Sequence, residues 1–286
     1  MNQKLENLLN LALETSEETR ELTEDLNVGF DTNTRTWELI VKYHGSLEAL
    51  ERLGVVVEYL IAGYAILTVP EQLVEEVSDF EQIEYVEKPK RYFYSQIGPA
   101  DRACVIQVTM REPFLNGRGV LLAVLDSGIE YRRMDFRKRN GDTRIKFLWD
   151  QTLQGNAPEG FAIGAEFDEE QINQALRANS EREQFELVPS RDVSGHGTAV
   201  AGIAAASVDT EGIYRGVAPE TELLIVKLGV PDTDGFPRTT EIMRGVTYVL
   251  KKANELQMPL VINLSFGNSY GAHDGSSLLE RFLDNA

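Results

Sequence analysis

Two short stretches of the chain hold residues whose types and surroundings suit acid–base chemistry. Arg191 to Ala206 reads R-D-V-S-G-H-G-T-A-V-A-G-I-A-A-A and sets one histidine, His196, between two glycines ahead of a run of small residues. Side chains of that size predict a helix lying flat against a sheet, which would hold the imidazole rigidly. A histidine fixed at the first turn of such a helix can serve as a general base. It needs a carboxylate to orient its other ring nitrogen and a nucleophile within hydrogen-bond reach. Gly119 to Gly128 reads G-V-L-L-A-V-L-D-S-G, an apolar run closed by a turn, as in a strand buried on both faces of a parallel sheet. Asp126 then falls at the carboxyl end of the strand, the edge of an α/β sheet where reaction sites form. Alone, D-S-G reads as a turn or cap. Its pairing with S-G-H-G-T gives it a different weight.

Two further motifs follow in order: G-V-A-P at Gly216 to Pro219 and V-I-N-L-S-F-G at Val261 to Gly267. Together the four resemble the subtilisin-like serine proteases, the subtilases, whose triad runs Asp, His, Ser along the chain. The resemblance spans roughly the second half of the sequence. It implies an α/β fold with a mostly parallel sheet and helices on both faces, with Asp126 as orienting acid and His196 as general base. It also implies two substrate-binding edges, one near Gly235 and one at Ser265, Phe266 and Gly267, where Ser265 binds rather than attacks. No G-T-S-M-A-type stretch occurs, and 90 residues follow His196, against roughly 150 between histidine and serine in compact subtilases. The nucleophilic serine and the oxyanion-hole asparagine are therefore expected beyond Ala286, and these 286 residues alone are expected to be inactive.

Composition narrows the function classes. With 42% hydrophobic residues the chain can bury a sizeable core. The net charge of −18, from 28 basic and 46 acidic residues, argues against nucleic-acid and anionic-membrane partners, which require a basic footprint. The resemblance implies a protein or peptide substrate, about which the charge says little. The single cysteine, Cys104, excludes an internal disulfide framework and reads as a small core residue. His44 and His273 lack metal-spaced neighbours and read as surface histidines. No basic-then-apolar signal opens the chain and no run approaches membrane-spanning length, so a cytoplasmic or spore-associated location is expected.

The elements ahead of Asp126 form a second body. Leu5 to Leu22 carries leucines at helical spacing and predicts an amphipathic helix. Next come a strand at Thr36–Tyr43, a helix at Ser46–Leu53 capped by Ser46, strands at Val55–Leu60 and Tyr64–Val69, a helix opened by Pro70 and a strand from Ile83. That βαββαβ order is ferredoxin-like. Ahead of a subtilase domain it resembles the family's propeptide, an intramolecular chaperone and inhibitor whose tail, about Lys90 to Ile97, would lie along the substrate cleft. A permanent extra domain is the other reading. We place the boundary at residues 96 and 97.

Asp126 and His196 stand 70 residues apart, against roughly 30 in compact subtilases. The surplus, about 136–188, is expected to run over the surface, although Ile145–Trp149 within it could form a strand and Asp168–Asn179 a helix. This insert, the missing secretory signal and the L-E-N-L-L-N-L opening resemble the clostridial Csp-type subtilases of spore germination. Asp135 matches an aspartate that binds calcium in many subtilases together with the loop at about 207–215. A surface aspartate is the other reading of it, so a structural calcium is the one cofactor expected, and none is needed for catalysis. The activity implied is serine endopeptidase. A pseudoprotease acting as a regulatory binding protein is the alternative from another class.

Overall fold

A computed structural model of the chain describes residues 2–94, 115–207, 216–230, 237–267 and 274–286. The fold divides into two compact units. The first comprises Met1–Tyr92, Phe236–Thr247 and Asn268–Ala286, and the second Phe93–Gly235 and Tyr248–Gly267.

The first unit begins with helices α1 (Asn7–Glu14), α2 (Glu17–Glu21) and α3 (Glu24–Asn27). One helix was expected across Leu5–Leu22, but the chain breaks at Thr15 and Ser16, which have extended ψ values. Strand β1 (Phe30–Asp31) leads into β2 (Thr36–Tyr43), α4 (Glu48–Arg52), β3 (Val56–Tyr59), β4 (Tyr64–Pro70), α5 (Val74–Asp79) and β5 (Ile83–Glu87). Leu47, not Ser46, stands at the N-cap of α4, although the Ser46 hydroxyl accepts from the Glu48 amide. Pro70 ends β4 opposite Thr36 and also caps a short 3-10 turn, Glu71–Leu73, that runs into α5, so the helix expected after it does begin there. The strand pairings, β3-β4-β2-β5 and all antiparallel, give the ferredoxin-like order. Alternation along β2 sends Trp37, Leu39 and Val41 into a core with Leu5, Leu9, Leu50, Val74 and Val77, and Glu38, Ile40 and Lys42 to the other face.

In the second unit a short strand β6 (Phe93–Tyr94) precedes β7 (Leu121–Asp126), β8 (Ile145–Asp150) and β9 (Ala165–Asp168). Helices α6 (Glu169–Arg177), α7 (Glu181–Leu187) and α8 (His196–Ala205) follow, then β10 (Glu222–Lys227). Helix α9 (Thr239–Leu256) starts in the first unit and ends in the second, before β11 (Leu260–Leu264) and β12 (Phe266–Gly267). The main sheet runs β11-β7-β10-β8-β9, parallel except for β9. All six residues of β7 are buried, as the apolar run predicts. The surface expectation for 136–188 fails at β8, which pairs with β10 on one side and β9 on the other. Its Ile145, Leu148 and Trp149 are fully buried. What lies outside the parallel strands is β9 with α6 and α7, and α6 is held by a capping box between Asp168 and Gln171.

The chain returns to the first unit with the start of α9 and with α10 (Leu278–Asn285). These cover the second face of the β2–β4 sheet. Tyr64 meets Phe282 edge-on at 5.5 Å, and Glu87 accepts from the Leu278 amide at the start of α10. Arg244 donates through Nε to both oxygens of Glu58 at 3.0 Å and through Nη2 to Glu38 at 2.7 Å. Arg238 reaches Glu38 at 2.7 Å and Glu241 at 2.9 Å. Burial pushes the Glu38 carboxyl up, but Arg244 and Arg238 outweigh it and hold it at about 2. No helix among the described residues is long and apolar enough to cross a membrane.

Candidate active site

Asp126 and His196 meet at the carboxyl end of β7. Strand pairing fixes the acid, whose own carbonyl accepts from the Leu228 amide at 2.8 Å just past β10. The base rides on the first residue of α8. Gly195 precedes it in the left-handed region, φ 73°, which turns the chain into the helix. The helix can approach this closely because Gly197 has no side chain. A Cβ there would lie 2.2 Å from the Gly128 carbonyl oxygen and 3.1 Å from Asp126 Cβ. The result is a hydrogen bond of 2.6 Å between His196 Nδ1 and Asp126 Oδ1. An ionised carboxylate only accepts, so the ring proton sits on Nδ1 and Nε2 is left as the basic nitrogen.

Asp126 is completely buried, while the imidazole keeps 14% of its surface exposed. Burial raises the Asp126 pKa above its ordinary value, against the opposing hydrogen bonds from His196 and the Ser127 amide. The carboxylate is thus shielded from water while a small part of the imidazole stays accessible, an arrangement compatible with acid–base chemistry.

Of the other expected residues, Ser265, Phe266 and Gly267 lie at and just before β12. Phe266 pairs antiparallel with Tyr94 and Gly267 with Phe93, so residues just before the expected 96/97 boundary lie as an added strand on this edge. The Ser265 hydroxyl donates to Asn263 Oδ1 at 2.8 Å. Gly235 and Cys104 lie outside the described residues.

Asp135 is met by a guanidinium, with Arg133 at 2.6 Å from its carboxylate. Its carbonyl oxygen accepts from the Ser207 amide at 2.9 Å and from Arg144 Nη2 at 2.7 Å. Arg144, nearly buried, also donates to the carbonyls of Ala205 and Thr221. Among the described residues no group of three or more His, Cys, Asp or Glu could hold a metal ion. The part of the expected calcium loop at 208–215 lies outside the described residues.

Sequence reasoning missed Asp192. Its carboxylate accepts from Ser127 Oγ at 2.8 Å, the Gly195 amide at 3.0 Å and, at Thr198, the amide at 2.8 Å and Oγ at 2.6 Å. The signal was present four residues before His196. Glycine at the N-cap has no side chain to cap the helix, so a polar residue just upstream has to supply the acceptor.

Comparison with known proteins places the sequence in a family. Residues 117–284, more than half of the chain, match the model described as "Subtilase family". The chain belongs to the subtilase family. Residues 3–90 of this subtilase match the model described as "Csp protease B prodomain". Subtilisin E of Bacillus subtilis is 27% identical over 223 residues, covering 78% of this chain and 45% of that protein. An intracellular serine protease of Paenibacillus polymyxa is 36% identical over 77 residues, 27% of this chain and 21% of that protein. Among solved structures, the CspB protease of Clostridium perfringens superposes with a TM-score of 0.56 at 34% identity, covering 64% of this chain and 36% of that one. The subtilase chain thus spans less than half the length of these relatives.

Proposed function

We propose that this chain carries the acid–base half of a serine endopeptidase. The 2.6 Å contact between Asp126 and His196 carries the reading. His196 Nε2 takes the proton of a serine hydroxyl as that oxygen attacks the peptide carbonyl, then returns it to the leaving amine. Asp126 holds the Nδ1–H tautomer and stabilises the imidazolium that forms in between. The reaction further requires a serine nucleophile and an oxyanion hole, and water hydrolyses the acyl-enzyme.

The substrate is a protein or peptide segment that adds as a strand to β12, so main-chain hydrogen bonds supply affinity and side chains select only weakly. The pairing of residues 93–94 with 266–267 supports this, and it supports a prodomain that acts on its own peptidase. Covalent labelling of the full-length gene product by a fluorophosphonate probe tests the reading. We expect stoichiometric labelling, slowed at least about a thousandfold by His196→Ala. A folded full-length protein that the probe leaves unlabelled would make it a binding protein without the reaction.

A further inference from the structure

We propose that Asp192 is a second carboxylate of the site, a positioning residue that sets the separation of Asp126 and His196. This rests on the reading of those two residues as an acid–base pair. Asp126 belongs to a strand and His196 to a helix that enters the chain 70 residues later. Their contact therefore depends on whatever fastens the D-S-G turn to the first turn of α8.

Among the described residues, three side-chain links besides the dyad bond do so, and each involves Asp192 or a hydroxyl it orients. Asp192 Oδ1 accepts from Ser127 Oγ at 2.8 Å, so the lone pairs of that hydroxyl face the Gly197 amide, which donates to it at 2.9 Å. Asp192 Oδ2 accepts from Thr198 Oγ at 2.6 Å, so the lone pairs of this second hydroxyl face the Glu130 amide, which donates at 2.8 Å. The same carboxylate takes the amides of Gly195 and Thr198 and, at 3.3 Å, the Ser194 hydroxyl. Those amides belong to the start of a helix whose N-cap glycine offers no side chain. Both oxygens thus receive only donors. Burial pushes the carboxyl up, yet the bonds from Thr198, Ser127 and Gly195 outweigh it and hold its pKa below the ordinary value. The positive end of α8 adds in the same sense.

An amide of the same shape cannot replace this group. One of its two ends would be an NH2 facing donors, either Ser127 and Gly195 or Thr198. A hydroxyl on that side would have to reverse, and it would then cease to orient one link between the turn and the helix. A loss of alignment on the order of 1 Å at a reacting pair costs about 100-fold in rate.

The test is Asp192→Asn in the full-length product, read in three ways below its unfolding temperature. Imidazole 15N shifts of His196, assigned with His196→Gln, report which ring nitrogen carries the proton. The fluorophosphonate labelling rate reports function, and thermal unfolding confirms that the variant is folded. We expect wild type to hold the Nδ1–H tautomer, and the folded variant to show a mixture of tautomers and label about 10- to 100-fold more slowly. A folded variant with unchanged tautomer and rate would overturn the proposal and leave Asp192 a mere helix cap. If Asp192→Asn does not fold, Ser127→Ala removes two of the three links while keeping the carboxylate. An unchanged tautomer there would overturn the proposal equally. Wild type that shows the Nδ1–H tautomer but resists the probe would sink the endopeptidase reading and leave the positioning claim to be decided by the tautomer alone.

Discussion

Arg244 is the sharpest point at which the first unit can be perturbed. Its side chain is 5% exposed, and it faces Glu58 at 8%, Glu241 at 0% and Glu38 at 18%. Glu38 and Glu241 both keep Arg238, but Arg244 is the partner that the described residues give Glu58. Arg244→Met would therefore strand one buried carboxylate and weaken two others. Removing one side of a buried pair costs about 3–5 kcal/mol, and at about 2–4 °C per kcal/mol for a chain of this size the transition should fall by roughly 6–20 °C. Arg244→Met combined with Glu58→Leu should recover much of that loss, because replacing a whole buried ion pair with apolar side chains is often neutral. Scanning calorimetry on wild type, the two single variants and the double variant measures the cycle. A single-variant loss under about 1 kcal/mol, or a double variant no better than Arg244→Met, would show that water compensates these charges and that the pairing is not buried as described.

Acid should weaken the same region. Held at about 2 in the fold rather than at its ordinary 4.5, the Glu38 carboxyl contributes roughly 3 kcal/mol at neutral pH. The depressed value means that this contribution is fully present above about pH 4.5 and is lost as pH falls toward 2. Urea unfolding of wild type and Glu38→Gln between pH 7 and 3 should converge as the pH drops, and parallel curves would refute the assignment. At the site, Gly197→Ala places a Cβ 2.2 Å from the Gly128 carbonyl oxygen, a backbone clash that only movement of α8 relieves. We expect about 1–3 kcal/mol of destabilisation and at least tenfold slower labelling by the probe. Unchanged labelling would mean that the dyad tolerates the shift.

The sequence revealed the dyad because each member sits in a locally distinctive pattern, an all-apolar strand ending in D-S-G and a histidine ahead of small residues. The ferredoxin-like order was legible for a similar reason, since turns and alternation mark each of its strands. Ile145–Trp149 was legible as a strand but not as a member of the main sheet, because that place comes from pairing with β10, and a contact so distant leaves no local trace. Pro70 was legible as a helix start, because a residue without an amide proton costs nothing ahead of a first turn, and the turn it caps runs into α5. Asp192 and Ser127 escaped notice because their value lies in bonds to each other across 65 residues. Nothing in the local pattern around Arg238 and Arg244 announces the carboxylates of β2 and β3 that they pair with.

The order of pairing around β7 has a consequence for biosynthesis. Both of its neighbours come later in the chain, Glu222 of β10 about 100 residues after Leu121 and Leu260 of β11 about 140 residues after it. At about 5–20 residues per second of translation, this wholly buried strand leaves the ribosome with neither edge partnered for roughly 5–20 s. During that interval it can recruit strands from other nascent chains. The N-terminal unit's first 92 residues have emerged by then, and the yield of native protein should depend on how soon they fold.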